Sequence, residues 1–516
     1  MTHDSDVVVI GLGPVGGVLA ALCAQQGLNV TVVEKDTDVY RLPRAVAMDH
    51  EVLRQVGLIG VADAVLAASN PSEGYEFVNS DREILVARYQ SGLAQTAYPF
   101  ANLFHQPSFE AAVRKRLSEL PNVRVLLGSE VVHLVQDADA AETTIRTPDG
   151  DQRLKSPFVV GCDGAKSFVR RWMAAPMHDL GFDEPWLVVD VRLPDGAPAL
   201  STKGMQLCDP QRPTTSTQSG PGRHRWEFML MPDEDPSEVT SDGAIRTRLA
   251  DWIDPDSVAI ERSAVYRFHG LIAEKWRQGR MLIIGDAAHQ MPPFLGQGLC
   301  SGVRDALNLA WKLGSVIRDG TPESLLDTVC AERSPHVEAI TEAAIQLGKL
   351  VCITDPDEAA QRDEQFKADQ DAGRPPPFPP MPRICDGVLD DHAAGSVLPE
   401  PFVVTNDGEA STRLDDIVGY VALLIIGRNV ELSDSDEMAV TNLIKTCPTL
   451  RVCQIGAGGS RVNLADTGDH VQSLLDNADA LLVKPDRIVF GAGNVRTLAH
   501  QWTNYLAGAS TENNSR

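Results

Sequence analysis

Val7-Val8-Val9-Ile10-Gly11-Leu12-Gly13-Pro14-Val15-Gly16 stands near the start of the chain and decides how the rest is read. Four β-branched residues in succession suit a strand buried on both faces, as in a parallel sheet. Gly11 to Gly17 reads as a turn, Val18 to Gln26 has helical composition, and Val30 to Val33 is a second β-branched strand. That order is a βαβ unit. Its GxGxxG spacing has a physical rationale: the first glycine permits a tight turn, the second lets backbone approach a pyrophosphate, and the third lets helix and strand pack closely. Gly456-Ala457-Gly458 and Gly491-Ala492-Gly493 also follow strand-like runs but lack the third glycine, so the spacing alone is a weak signal. Glu34, at the end of the second strand and followed by Lys35, strengthens the first match, because an acidic side chain at that distance accepts hydrogen bonds from an adenosine ribose. A bound dinucleotide is expected.

Two later segments repeat the order of strand, small-residue turn and helix. Val160-Gly161-Cys162-Asp163-Gly164-Ala165-Lys166-Ser167 marks the first, and Ile284-Gly285-Asp286-Ala287-Ala288-His289-Gln290-Met291-Pro292-Pro293-Phe294-Leu295-Gly296-Gln297-Gly298 the second. Each places an aspartate at the C-terminal end of a strand, the edge where open α/β sheets bind ligands. Beyond the second, Val303, Ala306, Leu307, Ala310 and Trp311 recur at helical spacing, while Arg304, Asn308 and Lys312 form a polar stripe; a helix packed by one face on a sheet is expected. From about Leu187 to His269, strand-like runs such as Trp226 to Leu230 alternate with turn clusters, predicting a mainly antiparallel sheet inserted into the α/β part. In that run Arg225, Glu227 and Met229 alternate with Trp226, Phe228 and Leu230. The polar set fits either an ion-paired outer face or a substrate-facing one, and the outer face is the favoured reading. Between Arg374 and Pro382 five prolines fall within six residues, which predicts a stiff linker. A separate small α/β domain follows from about Asp390, and Ser510 to Arg516 reads as a frayed tail.

Taken in order, the GxGxxG, the DG pair at Asp163-Gly164 and the GDAAHxxPPxxGQG run resemble the FAD-dependent aromatic hydroxylases, the single-component flavoprotein monooxygenases. Pro43-Arg44-Ala45, Arg225-Trp226-Glu227-Phe228 and the run Ser301 to Lys312 are similar to the 3-(3-hydroxyphenyl)propionate hydroxylase branch and the polyketide hydroxylases near it. The resemblance implies an α/β fold with a Rossmann-like FAD-binding domain (1–180 and 271–373), an inserted, mainly antiparallel substrate-binding sheet (181–270), a Pro-rich linker (374–389) and a C-terminal thioredoxin-like domain (390–516). It implies that Gly11, Gly13, Pro14, Val15 and Gly16 face the FAD pyrophosphate and that Glu34, with Lys35 beside it, serves the adenosine ribose. Arg44 and Gln106 would contact the ribityl or phosphate region, Gly285 and Asp286 the ribityl or pyrophosphate, and Asp163 FAD and the nicotinamide. Gly296, Gln297, Gly298 and Leu299 would set helix-start N–H groups against the flavin pyrimidine, where reduced flavin carries negative charge.

The reaction so implied is hydroxylation of a phenol: NADH or NADPH reduces FAD, oxygen adds to form a flavin C4a-hydroperoxide, and the activated ring attacks it. Pro292, Pro293, Phe294 and Leu295 suit the dry wall that such chemistry needs. His50, Tyr266 and His269 are candidates for activating the phenol on chemical grounds alone, whereas His289 reads as structural. A Baeyer–Villiger insertion into a ketone or polyketide, and a non-oxygenating FAD oxidoreductase, are the alternatives.

Composition narrows the classes further. Length (516 residues) and 43% hydrophobic content suit a multidomain globular protein. With 71 acidic against 46 basic side chains, the net charge of −25 repels nucleic acid and anionic membrane surfaces. Runs such as Tyr420 to Gly427 are too short to span a bilayer, and the polar, acidic start does not read as a secretory signal, so a cytoplasmic protein is expected. Nine scattered cysteines without CxxC or a Cys/His cluster suit reduced, mostly buried thiols, and no metal is expected. The expected partners are a small phenolic substrate and molecular oxygen; a homo-oligomer is compatible with all of this.

Overall fold

Strand Val7–Ile10 lies inside a six-stranded sheet, between Phe158–Gly161 on one side and Val30–Val33 on the other, paired in parallel with both. All four residues are buried, as are all four of Val30–Val33. Val123–Leu126 extends the sheet beyond Val30–Val33, and Met281–Ile283 extends it beyond Phe158–Gly161. Because the connections leave the central strand in opposite directions, a crevice opens at the C-terminal ends of these strands. The chain is described here from a computed structural model, covering all residues except 1–2, 41–43, 198, 375–377, 379, 405–409, 457–460, 467 and 508–516. Expectations resting on Pro43, Pro375 to Pro377, Pro379, Ala457, Gly458 and the tail from Ser510 therefore fall outside the described residues.

The first helix begins at Pro14, inside the glycine motif, and runs to Gln25 with Gly13 at its N-cap. Proline suits the first helical position because its missing N–H would have had no partner there.

An eight-stranded sheet stands over the crevice. The long strands Met177–Arg192 and Ala259–Ala273 pair antiparallel, and Arg223–Met229, Thr214–Gln218 and Gly204–Leu207 continue outward. It then takes in Gly74–Val78, paired in parallel with Gly204–Leu207, and Ile84–Tyr89. The expected antiparallel insertion thus gains two strands from the first segment of the chain and a third, His289–Gln290, from beyond it.

The helix Gly298–Arg318 departs from its sequence reading. Its residues from Cys300 to Gly314 are all buried, including Arg304, Asn308 and Lys312. The apolar stripe packs on the α/β core, but the polar stripe does not reach solvent. Asn308 donates to Glu332 at 2.7 Å and to Asp486 at 2.9 Å, and the Lys312 and Lys484 ammonium groups meet the two oxygens of Glu332 at 2.9 and 2.8 Å. Tyr505 adds a hydrogen bond to Glu332 at 2.6 Å. Asp486, Lys484 and Tyr505 belong to the C-terminal part, whose docking covers the helix. A second buried cluster joins the same parts: Arg54 meets Asp415 at 2.7 Å and Glu400 at 2.5 Å, and Arg487 donates to Asp415 at 2.7 Å.

The C-terminal part forms a seven-stranded mixed sheet with Leu423–Ile426 inside it. That strand pairs in parallel with Arg451–Ile455, across the helix Asp434–Thr446, and antiparallel with Ala480–Val483. Val489–Gly493 and the helix Val495–Leu506 close the unit. Among the described residues no helix is long and apolar enough to cross a membrane.

Candidate active site

One cavity of about 810 Å³ runs from the glycine motif, through the crevice, to the face of the eight-stranded sheet. This volume is at the upper end of small-molecule sites. The three glycines of the motif do different work: Gly11 and Gly13 line the cavity, and Gly16, expected to face it too, does not. Gly11 has φ +101°, and a Cβ on it would come within 2.5 Å of the Cys162 carbonyl oxygen. A Cβ on Gly16 would come within 2.0 Å of the Gly11 carbonyl oxygen, so the third glycine sets the packing of helix against strand. At Gly13 a Cβ would meet nothing within 4 Å, and the residue borders the cavity. Its bareness leaves space in the cavity rather than relieving a protein contact.

Glu34 closes this end. Its carboxylate accepts from the Leu12 N–H at 2.7 Å and from the Asp36 N–H at 2.9 Å, and it lines the cavity together with Pro14, Val15 and Lys35. Gln106 also lines it, but both ends of its amide are engaged: the oxygen accepts from the Arg44 and Ala45 N–H groups at 2.8 and 2.9 Å, and the nitrogen donates to Glu110 at 2.7 Å. Gln106 thereby pins the backbone that carries Arg44. The Arg44 guanidinium stands 3.6 Å from Asp286, both half-exposed at the cavity mouth. Asp163 caps the helix Phe168–Trp172 with one oxygen, accepting from Phe168 at 2.6 Å, while its buried Oδ1 has no partner among the described residues.

Gly296 to Leu299 line the cavity where the helix Gly298–Arg318 starts without a side-chain cap. The open N–H groups of a helix start favour negative charge. A charged lock fixes this end: Arg304 reaches Asp49 at 2.5 Å, Glu51 at 2.9 Å and the Gln297 side-chain oxygen at 2.9 Å. Burial alone would raise the Asp49 carboxyl; Arg304 and the Val52 N–H hold it down at about 2. His289 is buried against Asp305 at 2.6 Å, and Asp305 also takes the Gly285 N–H at 3.1 Å and Arg333 at 2.8 Å. Its position is structural, holding the turn that presents Asp286. Glycine floor, the Glu34 carboxylate at one end, the orphaned Asp163 oxygen and the open helix start together fit FAD.

At the far end, Pro293, Phe294 and Leu295 form one wall, with Phe294 packed edge-on to Phe182, Trp186 and Phe268. Facing them is the sheet, which presents Tyr75, Thr215, Thr217, Arg225 and Glu227 to the cavity. The favoured outer-face reading of Arg225 and Glu227 is thus overturned: both are buried and point inward. The reason lies on the other face, where Trp226, Phe228 and Leu230 pack under Val239, Ile245 and Leu249 of two short helices. His50 lines the cavity, its ring bonded to Thr96 and edge-on to Phe100. Tyr266 and His269 do not line it: Tyr266 lies under the Arg262 guanidinium, and His269 is 3.6 Å from Asp183. Phe378 and Met381, from the proline-rich stretch, do line it, so that stretch is more than a spacer. Tyr75 and Thr215 were not legible in the sequence, since neither belongs to a motif.

A family profile described as FAD binding domain matches residues 4–344. The chain is 37% identical over 445 residues, 85% of its length and 82% of the relative's, to a probable NADH-specific resorcinol 4-hydroxylase of Rhodococcus jostii (strain RHA1). It is 34% identical over 518 residues, 94% of its length and 90% of the relative's, to a 3-(3-hydroxy-phenyl)propionate/3-hydroxycinnamic acid hydroxylase of Mycolicibacterium smegmatis. Among solved structures, the flavin-dependent monooxygenase PieE, in complex with FAD and substrate, superimposes with a TM-score of 0.82 at 20% identity, covering 98% of this chain and 100% of that one.

Proposed function

The chain belongs to the FAD binding domain family as a flavoprotein aromatic hydroxylase using FAD and a nicotinamide coenzyme, and from that premise we propose that it hydroxylates a small phenol with molecular oxygen. The observation that supports this reading is the continuity of one cavity from the glycine motif to a polar sheet face across from an apolar wall. Held by these residues, FAD would supply the electrons, taken from the coenzyme, that activate molecular oxygen. The protein's residues then bind, orient and keep water out.

We assign Gly11, Gly13, Pro14 and Val15 to the pyrophosphate, with Gly16 setting the packing behind them, and Glu34 with Lys35 to the adenosine ribose. Arg44, Asp163 and Asp286 serve the ribityl and phosphate region, with Gln106 acting through the backbone of residues 44–45 and the buried Gly285, its N–H held by Asp305, shaping the turn that carries Asp286. The open N–H groups from Gly296 to Leu299 hold the flavin end that gains charge on reduction. Pro293, Phe294 and Leu295 keep the reacting end dry, and His50 stays at the cavity edge as an orienting group. NADH is the coenzyme to test first, by likeness to the Rhodococcus relative.

The division into a two-part FAD domain, an inserted substrate sheet and a thioredoxin-like unit after the linker is part of this proposal. The β-α-β pair followed by an antiparallel hairpin and a terminal helix supports the last of these. A cytoplasmic location completes the reading.

Turnover with NADH under oxygen-18 gas, across a panel of phenols and cyclic ketones, tests it. Labelled hydroxyl in a phenolic product is expected; label inserted only into ketones, or reduced flavin that yields no labelled product, would sink it.

A further inference from the structure

The sheet face over the apolar wall carries its polar groups in two register rows. Arg225, Thr217 and Gly204 lie in one, with Tyr75 directly across from Gly204; Glu227, Thr215 and Gln206 lie in the next. Gly204 lets the Tyr75 ring lie across the sheet, since a Cβ there would come within 2.4 Å of it. Tyr75, Thr215 and Glu227 thus meet at the cavity.

Arg225, the cation deepest in this wall, is already engaged. It grips Asp190 through two hydrogen bonds of 2.7 and 2.9 Å, donates to the Arg44 carbonyl at 2.7 Å, and has Glu227 at 3.6 Å. Arg262 reaches Asp190 from the neighbouring strand at 3.3 Å. Two guanidinium groups therefore balance two carboxylates, and of the two carboxylates Glu227 is the one that lines the cavity. Arg88 stands at the exposed rim, where water screens it. Among the described residues, a substrate carboxylate placed deep in this site would face Glu227 without a further cation to balance it, whereas a hydroxyl could donate to it.

We infer that Glu227, with Tyr75 beside it, receives a phenolic hydroxyl of the substrate, and that the site takes an uncharged phenol rather than an arene bearing a carboxylate. This rests on the hydroxylase reading above and names its substrate class. A hydroxyl donating to a carboxylate pushes electron density into the ring, which favours attack by the ring on oxygen, and such charge-assisted bonds are short and strong. Burial raises the Glu227 carboxyl, against the pull of Arg225. Acid therefore removes the acceptor at a higher pH than for an ordinary glutamate. The groups facing it are Arg225 on its own strand, Asp190 and Arg262 on the two adjoining strands, and Tyr75 from Gly74–Val78.

The test compares resorcinol with 3-hydroxybenzoate on the wild-type holoenzyme, and repeats resorcinol on Glu227→Gln across pH 5 to 8. Wild type should favour resorcinol in kcat/KM by about a hundredfold, and the variant should raise its KM by about tenfold or more, the scale of a lost hydrogen bond to a charged group. The variant should also lose the acid-side rise in KM. Equal or better turnover of 3-hydroxybenzoate by wild type, or a variant with unchanged KM and pH profile, would overturn the inference. If the variant does not fold, the wild-type comparison decides. Oxygenated product from 3-hydroxybenzoate alone overturns only this inference; none from any phenol overturns the hydroxylase reading and this one with it.

Discussion

Gly13 and Gly16 stand three residues apart in one motif, yet they should fail in different ways. A methyl at Gly16 has to displace the Gly11 carbonyl, so Gly16→Ala should destabilise the folded chain by about 1–3 kcal/mol, the usual cost of overpacking, with or without FAD. A methyl at Gly13 strikes nothing in the protein, and its backbone there, φ −73°, suits any residue. Gly13→Ala should keep the apoprotein's melting temperature and lose FAD affinity; calorimetry of apoprotein and flavin titration separate the two. Asp286→Ala should weaken FAD binding by about 1–3 kcal/mol, the worth of a hydrogen bond to a charged group. Flavin retained with unchanged affinity would show that the Gly285–Asp286 turn does not hold it.

At the scale of elements, the helix Gly298–Arg318 has its cavity-facing start locked by Arg304 and its middle held by Glu332. Burial would raise the Glu332 carboxyl, but Lys312 and Lys484 hold it down at about 2, while Lys312 itself is pulled down to about 8 by burial. Glu332→Gln leaves Asp486 as the remaining carboxylate beside two buried ammonium groups, and such losses cost about 3–5 kcal/mol. Because Glu332 ionises more readily folded than unfolded, its stabilisation is complete above about pH 4.5 and is lost as the pH falls toward 2. Melting temperature against pH should therefore fall more steeply over that window in wild type than in the variant. Parallel curves would mean that the carboxylate does not carry this linkage.

For the molecule as a whole, the C-terminal part supplies buried partners to the cofactor-side helices through Lys484, Asp486 and Tyr505 at one cluster and Asp415 and Glu400 at the other. These contacts brace those helices. Cys453 is fully buried, its thiol pushed up to about 12 by burial, and burial also raises Cys447. Neither is poised as a thiolate. Replacing both with serine should leave turnover intact; loss of activity with folding and FAD content preserved would reveal a dithiol role.

The glycine-motif end of the cavity was legible in the chain because its requirements are local. A carbonyl 2.0 Å from a would-be Cβ excludes every residue but glycine at Gly16, and buried strands followed by Asp163 or Asp286 mark a sheet edge within a few residues of sequence. The substrate end was not, because alternation along a strand separates two faces without saying what covers each. Arg225 and Glu227 point to the cavity only because the helices at Pro236–Val239 and Asp242–Leu249 bury Trp226 and Phe228 on the opposite face. Likewise the stripe Arg304, Asn308 and Lys312 has the spacing of a solvated face, and nothing nearby in the chain contradicts that. Lys484 and Asp486, more than 170 residues beyond Lys312, exclude water from it. Spacing determined which residues share a face; only the packing of distant elements decided which faces are dry, and hence which charges must pair.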